Sequence, residues 1–282
     1  MSILRLGVSS YSYWHFTPEK YPIEKVIDNA QALGLLGVEM IHQQLESEDN
    51  SYLQKLKRHA FRRGISLYSL GTSQDFVWDD AEKRQANVAH TKHCIDLAHA
   101  MGVPSIRVNA GTWRRDDNFA NINESKGWST PWEGSSQEEG LQWAVDGLGA
   151  CLDYAAECGV MLLLENHWGL TTYPEGMLHI LDTLDSPWLR AILDMGNFYF
   201  CEDMYAAMER LAPYVDVAHA KTYPGGGLVF TIPLDFVRIF RILQGVGFGG
   251  YVSIEMEGKE AADTAVPSSI TLLQQAWQEA QV

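Results

Sequence analysis

The amino-acid sequence predicts an α/β fold, a closed (β/α)8 TIM barrel formed as a single domain by residues 1–282. Short apolar runs typical of buried strands alternate with amphipathic segments of helical spacing, and the alternation occurs eight times. The length agrees with this fold, because such barrels occupy roughly 250 residues as one unit. An open doubly wound sheet is the alternative.

The predicted strands follow one another at the spacing of successive strand–helix units. They cover residues 4–9, 37–41, 66–70, 105–109, 161–166, 190–194, 215–219 and 251–256. Four of the intervening helical segments end in glycine, a residue that suits the left-handed conformation just past a helix: Gly34, Gly64, Gly102 and Gly159. Because strands that alternate with helices form a parallel sheet, eight such units predict closure into a barrel.

Composition narrows the classes of partner. The formal net charge of -15 argues against nucleic acid and acidic membrane surfaces, since binding to phosphates relies on lysine and arginine. The four cysteines form no C-x-x-C pair, so we expect reduced core residues. The first residues lead directly into a strand, and no apolar run approaches the roughly 20 residues that a membrane span needs. We therefore expect a cytoplasmic protein with no membrane partner.

The sequence contains one match to a nucleotide-binding motif, but the elements on either side of it are in the wrong order. Gly245, Gly247 and Gly250 match G-x-G-x-x-G, yet they follow a predicted helix and precede a strand, whereas a dinucleotide site needs the reverse order. The sequence also lacks a G-x-x-x-x-G-K-[ST] phosphate loop and a G-x-S-x-G nucleophile elbow. Nucleotide and serine-hydrolase chemistry are therefore not indicated.

Ionisable residues close four consecutive predicted strands, at Glu165, Asp194, His219 and Glu255. Taken singly, each is equally well explained as a helix cap, a salt-bridge partner or a core histidine. In a barrel of this kind, however, the carboxyl ends of the strands gather at one rim, where active sites lie. Three carboxylates and an imidazole suit a divalent cation, with Mn²⁺ expected first and Mg²⁺ or Co²⁺ as alternatives.

The segments that carry these residues, LLLENH, ILDMGN, AHAK and SIEMEG, resemble the sugar phosphate isomerase/epimerase family of xylose-isomerase-like barrels. That family includes ketose 3-epimerases, hydroxypyruvate isomerases and inosose dehydratases. The resemblance covers nearly the whole chain and implies that the four strand-end residues bind the metal, with Glu165 and Glu255 also serving as the acid/base pair. Many epimerases of the family have a substrate-binding histidine where this chain has Asn197.

Several residues near the predicted strand ends are candidates for substrate binding. His167 follows Glu165 and suits either a substrate hydroxyl or a hydrogen bond that supports the metal site. Lys221 points to the same side as His219 and suits a substrate oxygen, with a surface salt bridge as the alternative. Arg107 lies within a strand and needs a carboxylate partner or an anionic ligand. We expect the first, with an acid such as Glu39.

Tryptophans follow two of the predicted strands. Trp14 comes after the first strand, and residues 112–137 form a long connection that contains Trp113, Arg114, Arg115, Trp128 and Trp132. Long loops are often active-site lids, and tryptophan faces stack well on sugars, so Trp14 and Trp113 are candidate substrate contacts. The alternative is an ordered loop whose aromatic residues pack on the barrel or on a second subunit.

Together these features predict a metal-dependent enzyme that isomerises or epimerises a sugar or keto-polyol through an enediolate, with Glu165 and Glu255 as acid and base. The same intermediate also serves a dehydratase or lyase that acts on an inosose or 3-keto-glycoside, and Asn197 together with His167 keeps this alternative open. A catalytically silent sugar-binding barrel is the non-enzymatic alternative. The expected partner is a small carbohydrate-like substrate, and a homo-oligomer is left open.

Overall fold

A computed structural model describes residues 3–114 and 119–281 and shows eight parallel strands closed into a barrel, which confirms the predicted fold. Each strand pairs with its neighbours in sequence order, and the last strand pairs with the first. The strands are β1 (Arg5–Ser9), β2 (Gly37–Ile41), β3 (Ser66–Gly71), β4 (Ser105–Val108), β5 (Met161–Glu165), β6 (Leu189–Asp194), β7 (Val215–Thr222) and β8 (Tyr251–Met256).

Helices connect the strands and pack against their neighbours around the barrel. In the described part of the chain they are α1 (Ile23–Ala32), α2 (Asn50–Arg63), α3 (Ala81–Met101), α4 (Phe119–Glu124), α5 (Gln137–Cys158), α6 (Pro174–Leu184), α7 (Met204–Leu211), α8 (Phe236–Gly245) and α9 (Ala262–Ala280). Gly64, Gly102 and Gly159 end α2, α3 and α5 with φ of +67°, +71° and +67°. The glycine signals in the sequence therefore mark true helix ends.

Strand β7 is longer than the sequence predicted. It continues past His219 to Thr222, because it pairs with β8 over six positions in an unbroken register that ends at Thr222 and Met256. In this register Lys221 lies directly beside Glu255. Lys221 is therefore a strand residue of the barrel, and not a residue of the loop beyond it.

An apolar cluster fills the barrel interior, formed by Tyr68, Leu163, Ile192 and Val217. Three of these residues lie two positions before Glu165, Asp194 and His219, and residues two apart on a strand share a face. The ionisable residues therefore lie above this apolar cluster, which we call the apolar plug. A second and larger core lies between the strands and the helices.

Tyr68 occupies space that two glycines leave open. A Cβ on Gly7 would lie 2.6 Å from Cε1 of Tyr68, and one on Gly37 would lie 2.7 Å from its Cδ1. The ring stacks on Tyr251 with 4.1 Å between the ring centroids, and its hydroxyl donates a hydrogen bond to Ser253. Gly7 on β1 and Gly37 on β2 therefore leave the space that the Tyr68 ring on β3 occupies.

The long connection after β4 is only partly described, and Arg115 lies outside the described residues. Trp113 is buried and belongs to the main core, whereas Trp128 is exposed. All four cysteines are free, as expected, but only Cys94 and Cys151 are buried, while Cys158 and Cys201 are partly exposed. None of the described helices combines the length and the apolar character required to cross a bilayer.

Replacing Gly37 with alanine should destabilise the barrel, because the new Cβ would crowd both Tyr68 and the carbonyl oxygen of Ser66. We expect the free energy of unfolding to fall by about 1–3 kcal/mol, the usual cost of overpacking a core. Denaturant titration followed by circular dichroism measures it. Gly245→Ala is the control, because no atom lies within 4 Å of its Cβ. Equal losses in the two variants would contradict this account of the glycine.

Candidate metal centre

The barrel brings the four strand-end residues of the sequence prediction together. Glu165, Asp194, His219 and Glu255 are buried, and one ligand atom from each lies within 4.8 Å of the others. They come from β5, β6, β7 and β8, four consecutive strands whose carboxyl ends meet at one rim. This cluster could hold a metal ion, and we refer to these four residues as the barrel cluster.

The His219 imidazole lies at the centre of the barrel cluster. Its Nδ1 is 3.2 Å from Oε1 of Glu165 and 3.3 Å from Oε1 of Glu255. On the opposite side, Nε2 is 2.9 Å from Oε2 of Glu39. A ligating histidine commonly turns its second nitrogen toward a carboxylate in this way, which fixes the ring.

Lys221 contacts the barrel cluster at Asp194 and Glu255. Its ammonium group donates to Glu255 at 2.9 Å and to Glu257 at 2.8 Å, and it lies 3.2 Å from Oδ2 of Asp194. The side chain is buried, so the surface salt bridge that we considered as an alternative is wrong. The lysine instead joins two members of the barrel cluster to a third carboxylate at its margin.

Arg107 has a carboxylate partner, but not the one that we expected. Its Nη1 lies 3.4 Å from Oε2 of Glu165, and two of its other nitrogens donate to the carbonyl oxygen of Thr72. Glu39, the expected partner, contacts His219 and accepts a hydrogen bond from Ser253. The same oxygen of Glu165 also accepts a hydrogen bond from Asn109. Arg107 therefore positions a predicted catalytic glutamate.

The charges in this region do not balance among the side chains themselves. Two permanently positive groups, Arg107 and Lys221, face four buried carboxylates, those of Glu39, Glu165, Asp194 and Glu255. The buried carboxylates thus outnumber these two cations, which favours a divalent cation at the cluster. Oxygen-rich ligands with one imidazole also suit such an ion. The residues therefore fit a divalent metal.

The pKa values of these carboxylates depend on their burial and on the neighbouring charges. Burial raises the pKa of Asp194 to about 7, although Lys221 opposes the shift. Burial would also raise the pKa of Glu165, but Arg107 and His219 hold it well below its usual value. Burial acts in the same direction on Glu255, where His219 and Lys221 outweigh it and lower the pKa. Both glutamates are therefore ionised at neutral pH.

Two further predicted residues support the loops beside the cluster. The side-chain amide of Asn197 donates to the carbonyl oxygen of Asn166, and its backbone N–H donates to Oδ1 of Asp194. Burial lowers the pKa of His167, while the charge of Glu165 opposes this. The His167 ring lies 5.0 Å from that of Trp168. Asn197 thus holds Asp194 in place, and the roles of both residues in substrate binding remain predictions.

Trp14 and Trp113, the two tryptophans of the sequence prediction, are not members of the barrel cluster. Trp14 is buried in the turn after β1, where its Nε1 donates to the carbonyl oxygen of Thr17. Trp113 packs on Gly140 of α5 and donates to Gln137. Only 3% of Trp113 is exposed, which is the packing of a core residue. Substrate contact by either tryptophan remains a prediction.

Three residues of the site were not recognised as such from the sequence. Glu39 was assigned only to Arg107, whereas the structure places it against His219. Tyr11 follows β1 and hydrogen-bonds to Glu257; burial, followed by the charge of Glu257, raises its pKa. Among the described residues, the buried hydroxyl of Tyr223 has no hydrogen-bond partner. The aromatic-rich run SYSYW directly after β1 was the available signal for Tyr11.

Several solved structures share this fold at low sequence identity. The 3-keto-D-glucoside 4-epimerase of E. coli has a TM-score of 0.74 at 16% identity, over 97% of this chain and 100% of that one. The D-psicose 3-epimerase of Clostridium cellulolyticum H10, solved with D-tagatose, has 0.73 at 18%, over 99% and 96%. IolI, solved with a bound zinc atom, has 0.73 at 14%, over 98% of each chain. No curated protein matches the sequence.

The fold and the cluster define a (β/α)8 barrel with metal-type ligands at the carboxyl ends of consecutive strands. Residues 27–276 match the family described as xylose isomerase-like TIM barrel. This match covers most of the sequence. The chain therefore belongs to that family, in agreement with the resemblance of its strand-end segments.

Glu39→Gln should weaken metal binding, because Glu39 faces the second nitrogen of His219 and fixes the orientation of the ring. We expect the affinity for Mn²⁺ or Co²⁺ to fall by about 10–100-fold, the usual effect of removing such a partner, as measured by isothermal titration calorimetry. Glu209→Gln is the control, since Glu209 is an exposed glutamate of α7. An unchanged affinity in Glu39→Gln would refute the role of Glu39.

Proposed function

We propose that this chain is a divalent-metal-dependent epimerase or isomerase of a sugar or keto-polyol. The observation that carries the proposal is the arrangement of Glu165 and Glu255. Each glutamate directs one oxygen toward His219, and a cationic side chain holds its other oxygen. Two ionised carboxylates on either side of one buried point are what proton removal and return on a substrate carbon require. The epimerases of similar fold support the same reaction class.

The barrel cluster would hold the ion through its three carboxylates and His219, with Mn²⁺ as the proposed metal and Mg²⁺ or Co²⁺ as alternatives. When bound, a divalent ion polarises a carbonyl oxygen and lowers the cost of negative charge that develops there. Glu165 and Glu255 would exchange the proton beside that carbonyl, giving an enediolate. Arg107 and Lys221 keep the two carboxylates ionised and in position.

Substrate hydroxyls would be bound by polar groups near the cluster. The Tyr223 hydroxyl is buried and lacks a hydrogen-bond partner among the described residues, so a substrate hydroxyl could satisfy it. Tyr11 and His167 are further candidates, because the charges of the cluster residues act on the pKa of both. These groups suit a polyol substrate, which offers both donors and acceptors.

A dehydratase or lyase is the second candidate, favoured by the position of Asn197. Asn197 stands where many epimerases of the family have a substrate-binding histidine. Its side-chain amide donates a hydrogen bond to the carbonyl oxygen of Asn166. Elimination from the same enediolate needs only a leaving group on the neighbouring carbon. The substrate would then be an inosose or a 3-keto-glycoside.

Incubation with keto-sugars, inososes and 3-keto-glycosides in deuterated water tests the proposal. With Mg²⁺ bound, proton NMR of an epimerase or isomerase reaction shows deuterium entering the carbon beside the carbonyl together with the new isomer. Treatment with EDTA should abolish the exchange, and Mn²⁺ should restore it while circular dichroism stays unchanged. A dehydrated or cleaved product would instead assign the second candidate. Full activity in a metal-free preparation, or binding without any exchange, would overturn both.

Glu165→Gln and Glu255→Gln should lower turnover by about 10²–10⁴-fold, the usual contribution of a general acid or base. Glutamine keeps one ligand oxygen, so we expect metal to remain bound. Because each carboxylate serves one face of the substrate, one variant should still exchange a substrate proton with deuterated water without completing the reaction. Glu209→Gln, an exposed glutamate on α7, is the control. Normal turnover in both variants would exclude this acid/base pair.

A further inference from the structure

A second group of metal-ligating side chains is formed by the loop after β2 and by helix α3. His42 follows β2 directly, and His90 and Cys94 stand four residues apart on α3, so these two share a face of the helix. One ligand atom from each residue lies within 4.8 Å of the others. We refer to these three residues as the thiol cluster.

The spacing within the thiol cluster is close to that of ligands around one zinc ion. Sγ of Cys94 lies 3.6 Å from Nε2 of His90 and 4.0 Å from Nδ1 of His42. With Zn–S of about 2.3 Å and Zn–N of about 2.05 Å, tetrahedral geometry places sulfur and nitrogen ligands about 3.6 Å apart. Small side-chain adjustments would therefore bring all three ligands onto one ion.

Glu48 already orients one of these ligands. Its Oε1 lies 2.6 Å from Nε2 of His42, which leaves Nδ1 of that ring directed toward Cys94. Its other oxygen lies 2.7 Å from Nε2 of His93. A carboxylate on the second nitrogen of a ligating histidine is the usual arrangement around a bound metal, because it fixes which nitrogen carries the proton.

We propose that the thiol cluster binds a second metal ion, of the zinc class, through Cys94 Sγ and one nitrogen each of His42 and His90. One thiolate and two imidazoles suit this class of ion, whereas the carboxylates of the barrel cluster suit harder ions. Three protein ligands leave the fourth position for water. On binding, the thiol proton of Cys94 passes to the solvent, and the sulfur lone pair forms the bond to the metal.

The site is accessible from solvent but not freely exposed. Cys94 is fully buried, while the side chains of His42 and Glu48 are 14% and 46% exposed. An ion can therefore enter from the His42 side and be enclosed against the helix. These ligands lie in the turn after β2 and on α3, so the proposal does not depend on the reaction proposed for the barrel cluster.

Titration of the metal-free protein with Co²⁺, followed by absorption spectroscopy, tests the proposal. A thiolate bound to Co²⁺ gives a charge-transfer band in the near ultraviolet, and the barrel cluster contains no sulfur, so the band reports only on a cysteine site. We expect the band to saturate at one Co²⁺ per thiol cluster and Zn²⁺ to displace it. Absence of the band in the wild-type protein would overturn the proposal.

Three variants test the proposed site. Cys94→Ser should abolish the band, whereas Cys151→Ser, which removes another buried thiol, should leave it intact. Glu48→Gln should keep the band but raise the Co²⁺ concentration needed by about 10–100-fold, as expected for loss of an orienting carboxylate. If Cys94→Ser does not fold, Glu48→Gln decides the matter on its own. A band that persists in Cys94→Ser, or an unchanged Co²⁺ affinity in Glu48→Gln, would refute the site.

Discussion

Four carboxylates lie inside the barrel, and buried charges of this kind are tolerated only when they are paired and hydrogen-bonded. Their pairing organises the rest of the site. Arg107 binds Glu165, Lys221 joins Asp194 to Glu255, and His219 stands between the two glutamates. Each cation therefore both compensates a charge and fixes the direction of an oxygen. The remaining negative charge is what makes the cluster suitable for a divalent ion.

Much of this arrangement was accessible from the sequence, because it rests on local patterns. Apolar runs of strand length located all eight strands, and glycines located the ends of α2, α3 and α5, where the backbone is left-handed. The four members of the barrel cluster followed from one rule, that the carboxyl ends of barrel strands share a rim. A single ionisable residue at a strand end would have meant little, but four on consecutive strands predicted the location of the cluster.

The pairing of charges could not be predicted in the same way. Arg107 has several carboxylates within the barrel that a sequence cannot rank, and the register between strands, which decides the choice, favoured Glu165 over Glu39. The length of β7 also depended on its pairing with β8 and not on its own composition. The thiol cluster joins a residue that follows β2 to residues of α3, which are far apart in sequence, so only the folded chain brings them together.

The apolar plug beneath the barrel cluster limits the routes by which a molecule can enter and leave the site. Tyr68, Leu163, Ile192 and Val217 fill the barrel below the ionisable residues. A molecule that reaches the cluster through the rim must therefore leave through the same opening. In the proposed reaction, substrate and product would compete for one passage, and the plugged side would shield a proton held by a glutamate from water. Any exchange of that proton with the solvent would therefore take place through the rim.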